Sequence, residues 1–471
     1  LLHAHRRPEH ERMLADALRA AAPRGEVVCS SDVFPEVREY ERTATTVAEA
    51  YLRPVLAGYL GRLSARVTAL GMPVPGVMTS SGALRSASGA CTTAAALALS
   101  GPAGGVAGAA AVLRAAAFAD ALTIDIGGTS ADVGLIVGGE PLVEPGGAVA
   151  GVPIALPRVL VETVSAGGGS IVWVDDGGAL RVGPRSAGAS PGPAAFGRGG
   201  EEATLTDAHV VLRHVAAERL SGGIVVDAAL AKNALGQVAA ALGLPLDEVA
   251  RAAVETADAT MARALRRVSV QRGIDPWRGV LVAFGGGGPL HACGLAEQLG
   301  MRRVLVPPFA GVLSALGLAI APERRESMAS LVGRLDDAGA IVGAVLRDLE
   351  RRAGEVAGGR ARWWLRARYE GQGHELDLPV EPDDAPGAIA ERFGVLHWER
   401  FGFRLERPVE LVSARCAVTG EPWPVRFAGD EGERVVRGAA TLTLADATLL
   451  VREGWTARAL PIGGWLLERD R

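Results

Sequence analysis

An α/β fold with a second, smaller α+β domain is predicted from three features of the sequence. The first is a buried strand running into a glycine turn, and it occurs twice. Leu122, Ile124 and Ile126 alternate up to Gly127-Gly128-Thr129, and the wholly apolar Gly279–Phe284 run ends in Gly285-Gly286-Gly287-Gly288-Pro289. The second is a long amphipathic helix over Pro245–Arg272, with Val249, Ala252, Ala253, Ala257, Met261, Leu265 and Val268 on one face. The third is composition: 62 glycines against 4% aromatic residues favour close helix–sheet packing over an aromatic-rich sandwich. A shift in composition after Pro322 marks the smaller domain, giving expected boundaries of 1–322, 323–420 and a weakly defined tail, 421–471.

At 471 residues the chain is long enough for two or three domains. The net charge of −4 gives no support for nucleic-acid binding. Cys29, Cys91, Cys293 and Cys416 lie far apart with no C-x-x-C pair, so neither a zinc cluster nor a disulfide framework is indicated, and a cytoplasmic setting is expected. No uninterrupted apolar run reaches the ~18 residues that a membrane span requires. The opening Leu1-Leu-His-Ala-His-Arg-Arg-Pro has no signal-peptide pattern and no initiator Met, so a fragment or processed chain is expected.

Taken in order, Pro8–Ala22 reads as a short amphipathic helix, Glu26–Ser30 as a strand and Thr45–Leu70 as a long helix. Gly76–Gly82 reads as a buried strand entering a turn. Ser100 and Pro102 suit the start of a helix whose Gly104, Gly105 and Gly108 leave almost no side-chain bulk, open to close packing by a neighbouring helix or a nucleotide. Ser165-Ala-Gly-Gly-Gly-Ser170 is a loop where backbone comes near another group. The Pro/Gly-dense Gly183–Gly200 stretch is a candidate functional loop. Thr204-Leu-Thr-Asp207 caps a helix through His214. Asp227–Leu242 and Leu290–Leu299 are helices, and Arg302–Val306 is a strand. In the smaller domain Ser327–Ala357 reads as a long charged helix, Arg362–Glu370 and His374–Val380 as a hairpin, Pro386–Phe401 as a helix and Glu410–Val418 as a strand. Beyond Gly420 only weak strands are expected.

The stretch Asp125-Ile-Gly-Gly-Thr-Ser-Ala-Asp132 carries the chemistry. Gly127 and Gly128 permit positive φ and close approach of a ligand, consecutive N–H groups in such a turn form a concave anion site, and Thr129 adds a hydroxyl donor. Asp125 and Asp132 suit an Mg²⁺ ion or an attacking water. A plain β-hairpin turn accounts for the same residues equally well. His291 reads as either a nucleotide contact or a satisfied structural histidine. No pair of histidines has metal-ligand spacing, so no protein-only metal site is expected.

The order of the two glycine turns resembles the actin-like ATPase (ribonuclease H-like) superfamily. Five motifs narrow the match: Ser100-Gly-Pro-Ala-Gly-Gly, Asp125-Ile-Gly-Gly-Thr-Ser-Ala-Asp-Val, Ala166-Gly-Gly-Gly-Ser-Ile, the Ser186–Gly200 loop, and Ala283-Phe-Gly-Gly-Gly-Gly-Pro-Leu-His-Ala. Together these are similar to the hydantoinase A/5-oxoprolinase family, and Tyr369-Glu-Gly-Gln-Gly-His-Glu-Leu resembles its C-terminal domain. The resemblance implies ATP-dependent hydrolysis of a small cyclic amide, of the 5-oxo-L-proline or hydantoin type, through transfer of the γ-phosphoryl to a carbonyl oxygen. It implies ATP and Mg²⁺ as cofactors, a hydantoinase B-type partner subunit and an oligomer. A subunit of an ATP-dependent ketone carboxylase and an inactive truncated fragment are the alternatives.

On that resemblance Gly127, Gly128 and Thr129 hold the β/γ-phosphates, Asp125 holds Mg²⁺, and Asp132 is a partner to it or a base. Gly285, Gly286, Gly287 and Gly288 sit against the ribose and adenine, and Gly104 and Gly105 belong to a helix beneath the phosphates. The family's first D-x-G-G-T is expected upstream of Leu1, so this chain is expected to lack the N-terminal phosphate-loop half. Ala195 stands where the family often has Cys, and Gly287 where Ala is common.

Overall fold

The computed structural model describes residues 1–215, 219–220, 223–275, 279–429 and 434–470. They form a mixed α/β structure of two compact units, each discontinuous in sequence. One comprises Gly101–Leu142, Val159–Ile320 and Pro424–Arg471; the other comprises Leu1–Ser100, Val143–Arg158 and Ala321–Trp423.

The first unit is built on a nine-stranded sheet. At its centre Ala121–Ile126 lies between two neighbours. On one side it turns back antiparallel into Ala131–Val137, and on the other it runs parallel to Val280–Phe284, with Asp125 opposite Phe284. Val280–Phe284 is parallel in turn to Arg303–Val306. Two parallel strands end at the same edge of a sheet, so the glycine turns that follow Ile126 and Phe284 both leave from that edge. Outside the carboxyl ends of strands is where open α/β sheets usually bind ligands.

Val280–Phe284 is buried throughout, which is why it reads as an unbroken apolar run. The Leu246–Ser269 helix buries the stripe seen in the sequence: Val249, Ala253, Ala257, Met261, Leu265 and Val268. The chain beyond Gly420 gives only weak strand signals, yet the structure adds Trp465–Arg469, Trp455–Ala459 and Val435–Arg437 to this sheet, starting antiparallel to Arg303–Val306. The expected tail also includes 430–433 and 471, which lie outside the described residues.

The second unit contains a four-stranded antiparallel sheet in the order Arg324–Arg334, Val409–Thr419, Arg360–Tyr369, Leu376–Val380. Leu346 and Leu349 of the Leu335–Ala353 helix and Phe393 of the Pro386–Phe401 helix share a core with Leu365, Leu378, Leu411 and Cys416 of the sheet. Two expectations are corrected here. Ser327–Ala357 is not one helix, because Arg324–Arg334 is a strand and the helix begins at Leu335. The strand alternates: Ala329 and Leu331 pack on the helical core, while Arg324 and Glu326 pair with each other at 2.7 Å. Its pairing with Val409–Thr419, distant in sequence, overrides the local helical reading. Nor is Glu26–Ser30 a strand. The chain there enters a short helix, Ser30–Val33, tied down by Glu11, which accepts from Ser31 N at 2.8 Å and Ser30 Oγ at 2.7 Å. The long helix starts earlier than expected and spans Glu39–Ala69. Among the described residues no helix is long and apolar enough to cross a membrane.

Candidate active site

The loop between Ala121–Ile126 and Ala131–Val137 is partly a hairpin closure and partly something else. Gly127 N donates to Ser130 O at 3.0 Å, which closes the turn as a plain hairpin would. The carbonyls of Gly127 and Gly128 point to the Ser165–Ser170 loop: Gly168 N donates to Gly127 O at 3.0 Å and Gly169 N to Gly128 O at 2.6 Å. In a trans peptide the C=O and N–H are antiparallel. The N–H groups of Gly128 and Thr129 therefore both face away from that loop. Among the described residues neither makes a hydrogen bond to the chain, and Gly127, Gly128 and Thr129 are exposed. Two adjacent free amides aimed the same way form an anion-binding concavity.

Positive φ plays no part in this loop, contrary to the sequence reading: neither Gly127 nor Gly128 adopts it. Close approach does. A Cβ on Gly167 would lie 2.7 Å from Ser130 N and 2.8 Å from Gly127 O, so the second loop packs directly against the first. The Pro/Gly-dense stretch extends the stack, with Ala187 N donating to Gly169 O at 2.8 Å. Its Gly200 touches Gly192 O so closely that a Cβ would sit 2.2 Å away. Asp207 anchors this stretch. Fully buried, it accepts from Ala195 N at 2.7 Å, Thr204 N at 2.8 Å and Thr204 Oγ1 at 2.7 Å, and it completes the capping box expected from Thr204-Leu-Thr-Asp.

Asp125 and Asp132 are cross-strand partners and so share one face of the sheet. Burial, and then the charge of Asp132, push the Asp125 carboxyl up to about 6, while the Ser314 hydroxyl, donating to Asp125 Oδ2 at 3.3 Å, acts in the opposite direction. Burial also raises Asp132, against a hydrogen bond from Thr163 Oγ1 at 2.5 Å. Paired carboxylates in partial burial are suited to exchanging a proton near neutral pH or to holding a hard cation. Among the described residues, no group of three or more His, Cys, Asp or Glu side chains is placed to hold a metal ion.

The second glycine turn meets the first. Gly285, at φ 78°, sits so close that a Cβ would lie 2.2 Å from Asp125 Oδ1, and Gly287 N donates to Ile126 O at 2.9 Å. Gly286 is exposed with open space around it, whereas Gly288 is buried at the start of the Gly288–Leu299 helix. Gly104 and Gly105 are buried in the Ser100–Ala115 helix. Gly105 faces Phe284 and Ser314, and Gly104 O lies where a Cβ on Gly317 would be, 1.8 Å away. His291 is buried between Asp258, whose Oδ1 is 2.6 Å from Nδ1, and His209, whose Nε2 is 3.1 Å from its own Nε2.

Sequence reasoning missed Ser314, Thr163, Thr206 and His209. Ser314 and Thr163 reach the aspartates from distant segments, and no local pattern announces either. Thr206, which donates both N and Oγ1 to Gly168 O at 2.8 Å, lies inside the capping motif, whose local pattern announces only a helix start.

The Hydantoinase/oxoprolinase family model matches residues 42–327. The chain is 35% identical over 433 residues to the caprolactamase subunit alpha of Pseudomonas jessenii, an alignment that covers 88% of this chain and 62% of that one. It is 32% identical over 440 residues to 5-oxoprolinase 1 of Arabidopsis thaliana, covering 86% of this chain and 34% of that one. The chain therefore spans less than two thirds of the length of these relatives. The crystal structure of the ATP-dependent caprolactamase from Pseudomonas jessenii superposes with a TM-score of 0.86 at 30% identity, covering 99% of this chain and 76% of that one. A nucleotide-free acetone carboxylase structure shares the fold, with a TM-score of 0.76 at 24% identity.

Proposed function

We propose that this chain, which belongs to the hydantoinase/oxoprolinase family, is the ATP-handling part of an enzyme that opens a small cyclic amide. The observation that carries the reading is the pair of outward N–H groups at Gly128 and Thr129, set beside two half-buried carboxylates. The names of the relatives agree with it: a caprolactamase and a 5-oxoprolinase both act on lactams. On this proposal the glycine-turn core has the actin-like arrangement, with residues 1–322 as the ATPase-family segment and 323–420 as a smaller domain.

The residues present fit a triphosphate. Gly128 and Thr129 would donate to its phosphate oxygens, and the exposed Gly286 leaves room for a bulkier part of the nucleotide beside the second turn. Asp125 would hold Mg²⁺ together with oxygens from the nucleotide itself, since the chain offers no complete ligand set of its own. Bound ATP and Mg²⁺ would supply phosphoryl activation of the amide carbonyl and neutralise charge during the transfer. The chain's own contribution is positioning: the loop amides orient the phosphates, and Asp132, raised by burial and oriented by Thr163, takes or returns a proton. A partner subunit is part of the proposal, because relatives are named as subunits.

The test is phosphate release by the full-length protein with any partner subunit, offered caprolactam, 5-oxo-L-proline or a hydantoin in turn. ATP turnover that depends on one of these, with ring opening, supports the reading. ATP turnover coupled instead to bicarbonate incorporation into a ketone makes the chain a carboxylase subunit, as the 33% identity over 329 residues to an acetone carboxylase beta subunit allows. No turnover with any of them overturns both.

A further inference from the structure

Three histidines and an aspartate form a chain, buried at Asp258, His291 and His209 and half-buried at His214, that the proposed chemistry does not use. Asp258 Oδ1 meets His291 Nδ1 at 2.6 Å, His291 Nε2 meets His209 Nε2 at 3.1 Å, and His209 Nδ1 meets His214 Nδ1 at 3.1 Å. His209 and His291 stack edge to face with centroids 4.7 Å apart, and both are nearly inaccessible. Burial, then His291 and His214, hold His209 well below the usual imidazole range, so it is neutral at physiological pH. Among the described residues no group of three or more His, Cys, Asp or Glu side chains is placed to hold a metal ion, here or elsewhere.

The position of this contact gives it a consequence. His209 lies one turn along the Leu205–Val211 helix from Thr206, which grips Gly168 O with both N and Oγ1; Gly168 N in turn grips Gly127 O. His291 lies one turn along the Gly288–Leu299 helix from Gly287, whose N grips Ile126 O. The two helices thus hold adjacent carbonyls of the same loop from two sides, and the imidazole contact ties them together behind it. Starting at Ile126 and Gly127, hydrogen bonds and helix turns close a ring through Gly168, Thr206, His209, His291 and Gly287.

We propose that His209 and His291 are positioning residues: behind the direct contact between the two glycine turns, they hold the Gly168 loop and the Gly288–Leu299 helix in register, and so allow one nucleotide to engage both turns at once. This rests on the nucleotide reading above. A ligand held at two points gains over its separate halves only while the geometry permits simultaneous engagement. The effect of loosening the ring is therefore specific: ATP weakens, and its fragments do not.

The test measures the affinity of the full-length protein, with any partner subunit, for Mg·ATP, adenosine and tripolyphosphate by competition. In His291→Asn the shorter amide keeps the bond to Asp258 and loses reach to His209. In His209→Gln the amide keeps a polar group near the position of Nε2. His291→Asn is expected to weaken ATP by about 10–100-fold while leaving adenosine and tripolyphosphate within about twofold, and His209→Gln to stay within about threefold for all three. Unchanged ATP affinity in His291→Asn overturns the proposal. So does equal weakening of ATP and both fragments, which marks general damage to the fold. A wild-type protein that binds no ATP overturns the nucleotide reading itself, whatever the variants do.

Discussion

Asp125 and Asp132 stand directly opposite one another on adjacent antiparallel strands, with Ser314 donating to the first and Thr163 to the second. The pair carries a pH signature. The folded state raises Asp125 from its ordinary 3.8 to about 6, so between those values the folded protein binds more protons than the unfolded chain. Stability from this group is therefore greatest at or below about pH 4 and falls as pH rises to about 6. Asp125→Asn removes the buried charge, and at pH 7.5 it should stabilise the protein by up to about 3 kcal/mol, at about 1.4 kcal/mol per pKa unit. On the proposed function, the same variant should also lose ATP hydrolysis. Melting temperature and phosphate release, measured on one preparation between pH 4 and 8, check both halves.

The second glycine turn separates a structural glycine from an open one. Gly285→Ala forces a Cβ to within 2.2 Å of Asp125 Oδ1 at a φ of 78° and should cost at least about 2 kcal/mol. Gly286→Ala meets nothing within 4 Å and should shift stability by no more than about 0.5–1 kcal/mol. Denaturant titration of both variants tests the contrast. A loss of ATP affinity in Gly286→Ala without a loss of stability would then report the ligand alone.

Asp207 is the fastener of the Pro/Gly-dense loop. Asp207→Ala leaves Ala195 N, Thr204 N and Thr204 Oγ1 buried without their acceptor, and should destabilise by about 3 kcal/mol. Limited proteolysis should then cut within 187–200 well before it cuts the central strands. Equal protection in variant and wild type would show that the loop is held by other contacts.

In the other unit, Glu36 is nearly inaccessible, takes Arg366 Nη1 on one oxygen at 2.8 Å and Ser413 Oγ on the other at 2.8 Å. Burial raises its carboxyl, and the nearby Arg366 opposes that rise. Glu36→Ala should cost about 3–5 kcal/mol, because it removes one carboxylate from a largely buried guanidinium, leaving it Asp377 at 3.0 Å. Adding Arg366→Met should recover part of the loss. A double-mutant cycle by chemical denaturation gives the coupling, and strict additivity would count against it.

Much of this architecture was legible because its signals are local. The strands entering Gly127 and Gly285, the apolar stripe of Leu246–Ser269 and the Thr204/Asp207 capping box each declare themselves within a few residues. What could not be read depends on partners far away in the chain. Arg324–Arg334 is a strand only because Val409–Thr419 lies beside it, and after Gly420 it is Trp465–Arg469 that pairs with Arg303–Val306 and brings Trp455–Ala459 and Val435–Arg437 onto the sheet. The site divides in the same way. Its motif glycines are evident, but which amides are already used follows from Gly168 and Gly169, some forty residues on. The role of Gly127 accordingly differs from expectation: its amide closes the hairpin, and the two that follow remain free.

The most direct measurement is a crystal structure of the full-length protein with Mg²⁺ and a non-hydrolysable ATP analogue. Phosphate oxygens should lie about 2.7–3.2 Å from both Gly128 N and Thr129 N, with the carboxylates of Asp125 and Asp132 on the metal side. A nucleotide bound elsewhere, with those two amides facing only solvent, would contradict the account.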